Sequence, residues 1–162
     1  MTSSSAPVTT TSSATTSSAT TSSAAPSPTS AVAPGHGTPE DAADGLIQAE
    51  LANNGPELCS YLVPSSQSDC NNQVQLSPFP TVTGNATVDG AVISGSKALV
   101  PVTGKLCNSD TGCTSNNDRS LGMPHGKETF AQAYAHALGP SDHFSPVPCI
   151  EENGMWYVNA MA

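Results

Sequence analysis

The chain has 162 residues, a net charge of −9, only four Lys and Arg, and 4% aromatic residues. A surface of that sign repels phosphate backbones and anionic headgroups, which argues against nucleic acid as a partner and against electrostatic docking on a lipid surface. No apolar run in the sequence is long enough for a signal-peptide core or a membrane span.

Residues 1 to 34 are Ser, Thr, Ala and Pro throughout, apart from Met1, Val8 and Val32. Such a stretch has almost no apolar area to set against the roughly 1 to 2 kcal/mol per residue that ordering a backbone costs, so it is expected to stay disordered. Its composition is that of a semi-extended, O-glycosylatable stalk. We therefore read 1–34 as a tether and 35–162 as one ordinary domain.

In "GTPEDAADGLIQAELANNGP" the helix signals are complete. Thr38 is placed as N-cap, Pro39 follows at the first helical position, Glu40 and Asp41 sit in the first turn, and Asn54, Gly55 and Pro56 form the stop. Ala43, Leu46, Ile47 and Leu51 make its apolar stripe. "PELCSYLVP" predicts a second, shorter helix with Leu58, Tyr61 and Leu62 on one face and Cys59 in its first turn. From Asn85 the period changes to two, and "NATVDGAVISGSKALVPVTGKLC" reads as two strands around Ser94, Gly95 and Ser96. The second strand presents Ala98, Val100, Val102 and Leu106 on one side and Lys97, Thr103 and Lys105 on the other. Pro101 has no N–H for a ladder and predicts an edge or a bulge. "KETFAQAYAHALGP" is helical again, with Phe130, Ala133, Tyr134, Ala137 and Leu138 on one face and Gly139–Pro140 as stop. "PVPCIEENGMWYVNAM" predicts a closing hairpin that turns at Asn153–Gly154. Helices that precede and interrupt an antiparallel sheet give an α+β domain with helices over one sheet face.

Five cysteines in a domain of this size, with no Cys-x-x-Cys and no His at zinc-ligand spacing, read as a disulfide set and not a metal site. Closeness along the chain favours Cys59 with Cys70 and Cys107 with Cys113, each stabilising by about 2 to 3 kcal/mol on the chain-entropy model. Cys149 is left over and is expected to be buried and inert.

Catalytic patterns are sparse. Asp142 beside His143 reads as a turn, since adjacent loop residues seldom face one reacting atom. His136 shares a solvated helix face with Glu128 and Gln132, and His125 precedes that helix. Asp89 lies on the first predicted strand, where alternation turns it either into a pocket as a general base or equally out to solvent. The oxygen-rich "CNSDTGCTSNND" lacks the calcium-loop spacing, and no motif calls for a cofactor.

The order of a "TPEDAADGLIQAEL" helix, a cysteine-bearing helix, a hairpin ending in cysteine and a terminal "GMWYV" strand resembles the small exported domains of actinobacterial lipoproteins with an NTF2-like (cystatin-like) fold, over Thr38 to Met161. The resemblance implies helices packed on a curved antiparallel sheet in a cone. It also implies a signal peptide and a lipid-modified cysteine ahead of the tether, so that Met1 stands where that region has been removed. On this reading the protein is extracytoplasmic, in the cell envelope or secreted, and meets a membrane only through such a lipid anchor. Its expected role is non-enzymatic contact with a protein partner. The alternatives are a carrier for a small apolar ligand, with Val100, Val102, Trp156 and Val158 lining the mouth of the cone, and an isomerase or dehydratase built on Asp89 and a histidine.

Overall fold

The computed structural model describes residues 35–77, 79–139 and 144–159. The tether expected at 1–34 and the Asp142–His143 pair lie outside them. The described residues form an α+β fold of four helices and two antiparallel sheets.

Helix α1 spans Pro39–Leu51, and Thr38 caps it by accepting a bond from the Asp41 N–H at 3.1 Å. Its end differs from the sequence expectation. Asn53 takes the left-handed conformation at φ 53°, and Asn54 caps a new helix, α2 (Gly55–Ser60), whose first turn contains the Gly and Pro expected as a stop. Proline suits a first helical turn as well as a break, because the N–H it lacks has no acceptor there. Gly45 lies in the middle of α1 where the Tyr61 ring rests against the helix, so any Cβ would collide with that ring.

Helix α3 (Pro64–Leu76, "PSSQSDCNNQVQL") has no counterpart in the sequence reading. It lacks an apolar stripe, and what holds it is specific to the tertiary structure. A disulfide joins its Cys70 to Cys59 on α2, and its buried Gln67 donates through Nε2 to the carbonyls of Leu62 at 2.9 Å and Ser60 at 3.2 Å.

The region read as two strands contains four, and a fifth follows. They are β1 (Val82–Val88), β2 (Val92–Ser94), β3 (Lys97–Val100), β4 (Val102–Asn108) and β5 (Gly112–Asn116). Pro101 marks neither an edge nor a bulge. It ends β3, which is central in a sheet ordered β2-β3-β6-β7, and β4 begins at once as the centre of a second sheet ordered β1-β4-β5. The ladder cannot run through a residue without an N–H. The polar groups around this break are satisfied individually: the Val102 N–H donates to Ser145 Oγ at 3.0 Å, Asn116 Nδ2 donates to the Val102 carbonyl at 2.6 Å, and the Asp89 N–H donates to the Pro101 carbonyl at 2.9 Å.

Helix α4 (Phe130–Ala137) carries a reciprocal capping box between Thr129 and Gln132. Strands β6 (Val147–Glu152) and β7 (Met155–Val158) form the closing hairpin, with Asn153 and Gly154 both at positive φ, as a two-residue turn of that type requires. Helices lie on both faces of the four-stranded sheet. On one face Ala98, Val100, Cys149 and Val158 pack with Ala42, Ala43 and Ile47 of α1. On the other, Leu99 packs with Met123 and with Ala133 and Tyr134 of α4. The second helix layer arises because β3 is apolar at consecutive positions 98, 99 and 100, all fully buried, so both of its faces need cover.

Candidate functional site

Two cavities run along the C-terminal half of α1. The larger, about 250 Å³, lies between Leu46 and Ile47 of α1, Leu106 of β4, and the Phe144–Pro148 segment with the end of α4. The smaller, about 160 Å³, is enclosed by the last turn of α1, Leu58 of α2, and Phe79, Pro80 and Val82 at the entry to β1. Glu50 lines both. It stands one helical turn beyond Leu46 and Ile47, on the apolar side of α1, while Asp44 and Gln48 point to solvent.

Around Glu50 the larger cavity is lined by aliphatic and aromatic residues, whereas the smaller one also carries Asn53, Asn54 and Asn108. Burial raises its pKa, because the charged form loses water that nothing replaces. Among the described residues no Lys, Arg or His pairs with it. The sequence assigned Glu50 no role. The available signal was its place seven residues after Ala43, which puts a charge on the stripe of a helix that is otherwise apolar there.

The residues singled out from the sequence are distributed elsewhere. Asp89 forms an ion pair with Arg119 at 3.1 Å and accepts from Thr103 Oγ1 at 3.5 Å, and it lines neither cavity. Val100, Val102 and Trp156 meet α1 in the core, so the cone mouth expected between them is filled; of that group only Val158 touches a cavity. His125 and His136 flank the Glu128 carboxylate at 3.5 and 3.2 Å with both imidazoles well exposed. Among the described residues, no group of three His, Cys, Asp or Glu side chains is disposed to hold a metal ion.

His36, which the sequence left without a role, stacks on Tyr61 with ring centroids 4.5 Å apart. Its Nε2 is buried without a hydrogen-bond partner, and desolvation lowers its pKa against the opposing pull of Asp41.

The structure contains two disulfides, Cys59–Cys70 and Cys107–Cys113. The second joins directly opposed residues of β4 and β5. Cys149 is a fully buried free thiol whose Sγ lies 3.6 Å from the Pro39 carbonyl, and burial, reinforced by nearby Glu40, pushes its pKa up to about 12. At neutral pH that thiol is no nucleophile. Two disulfides beside one inert thiol suit an oxidising, extracytoplasmic compartment. No described helix is long and apolar enough to cross a membrane.

Compared with protein-family models, curated proteins and solved structures, the chain finds no match.

Proposed function

We propose that the protein is an exported binding domain that holds a small, largely apolar molecule in the groove along α1, kept away from a surface by its Ser/Thr/Ala/Pro-rich N-terminal stretch. The observation that carries this reading is the pair of cavities sharing Glu50, lined mainly by apolar residues from both sheets and three helices. A dry apolar cavity of about 150 Å³ is enough to hold a benzene-sized molecule, so either space suffices for a compact ligand. Support for export comes from the disulfides and from the tether composition of residues 1–34. The resemblance to NTF2-like lipoprotein domains makes the cell envelope the natural site, with the lipid anchor as its membrane connection.

A thermal-shift screen of the purified chain against fatty alcohols, amines, aromatic compounds and sterols tests the reading. A saturable rise in melting temperature is expected for at least one class. Silence across the whole set overturns it.

Contact with a protein partner is the second reading, supported by edge strand β2, where Val92 and Ile93 are 44% and 54% exposed. Apolar side chains beside an unpaired strand edge are a usual site of strand addition. The enzymatic reading has less support, since its proposed base, Asp89, is committed to Arg119 and Thr103.

A further inference from the structure

Resting on the reading of the groove as a ligand site, we infer that its ligand is a compact amphiphilic amine, an apolar body carrying one protonated nitrogen that pairs with Glu50. Glu50 is the only titratable side chain lining either cavity among the described residues; α1, α2, β1, β4, α4, β6 and β7 contribute no other. Among the described residues the Lys and Arg side chains are engaged or turned elsewhere. Arg119 binds Asp89, Lys97 lies over the Tyr134 ring at 4.9 Å, and Lys105 and Lys127 are exposed. A carboxylate left alone in an apolar groove is unfavourable, and a structural role there would be served better by leucine or glutamine. An ammonium group brought by the ligand supplies the missing partner through a charge-assisted hydrogen bond, while the surrounding Leu46, Leu106 and Phe144 side chains take up its apolar body. A ligand carboxylate in the same place meets repulsion.

The site also couples binding to protons. Burial holds the Glu50 pKa above its ordinary value, and a bound cation draws it back down. Amine affinity therefore falls as the pH drops through the Glu50 titration and the carboxylate becomes neutral.

The test is calorimetric or ligand-observed NMR titration of the full chain with three probes of one shape, benzylamine, benzyl alcohol and benzoate. Benzylamine is expected to bind saturably and at least about tenfold tighter than benzyl alcohol, a difference of about 1.4 kcal/mol, with benzoate weakest. Glu50→Gln should bring the amine down to the level of the alcohol and leave the alcohol within about twofold of its wild-type affinity. The wild-type pH series gives the same information without any substitution. Equal affinity for amine and alcohol, a preference for benzoate, or amine binding that neither Glu50→Gln nor acidification weakens would overturn the amine assignment and leave the apolar-ligand reading standing. Failure of all three probes removes the assignment, and the wider thermal-shift screen then decides separately whether the groove binds anything.

Discussion

The two sheets of this protein meet at one proline and are stabilised in different ways. In the four-stranded sheet, β3 is apolar on both sides, and helices α1 and α4 close over its two faces. In the three-stranded sheet, β1 is exposed or only half-buried at every residue, and β5 is exposed at most of its residues. Its outer hairpin is held by the Cys107–Cys113 bond, by Asn116 reaching the Val102 carbonyl and by the Asp89–Arg119 pair. A chain with few large apolar residues can cover one sheet properly but not two, so cross-linking and polar ties support the second. The groove lies along α1 at the seam between the two sheets, with residues of both in its walls.

If this contrast is right, the largest loss should come from the packed sheet. Leu99→Ala removes a fully buried side chain from the α4 face and should cost about 2 to 5 kcal/mol in urea denaturation. A cost below about 1 kcal/mol would mean that this face is loosely packed and the contrast false.

Cys107→Ser combined with Cys113→Ser should cost about 2 kcal/mol, the chain-entropy estimate for so short a loop. Amide exchange should accelerate in β4 and β5 and stay unchanged in β3 and β6. Uniform acceleration would show that the two sheets unfold as one unit.

Glu50→Gln tests the seam between the sheets, with a direction set by pH. The native pKa of Glu50 lies above its ordinary value of 4.5, so the folded state holds its proton more tightly than the unfolded state does. Its contribution to stability is thus present at low pH and lost as pH rises through the native pKa. The variant should gain on wild type between pH 5 and 8 and lose that advantage near pH 4. His36 has the opposite sign: its lowered pKa means that its contribution is lost as pH falls from 6.5 through the native value. Stability profiles of wild type and Glu50→Gln across pH 4 to 8 separate the two groups.

Arg119→Ala should have the smallest effect, no more than about 1 kcal/mol, because the guanidinium end of the Asp89 pair is largely exposed. A larger loss, measured by the same denaturation, would show that the pair braces the open sheet far more strongly than a surface ion pair should.

Much of the fold could be read locally. Thr38, Pro39 and the spacing of Ala43 and Ile47 define α1, the run from Phe130 to Leu138 defines α4, and Asn153–Gly154 defines the last turn. These signals need only neighbours within a few residues, as does the closeness of Cys59 to Cys70 and of Cys107 to Cys113. Three features depended on tertiary contacts that local period and capping do not show. The strand divides at Pro101 because β3 pairs with β6 while β4 pairs with β1 and β5. Helix α3 persists without an apolar stripe because Cys70 and Gln67 find partners on α2 and in the turn beyond it. Glu50 becomes a candidate binding residue because Leu106 and Phe144, more than fifty positions along the chain, close an apolar groove around it. Local period and capping are written in sequence order, whereas desolvation of a carboxylate is decided by whatever the fold brings next to it.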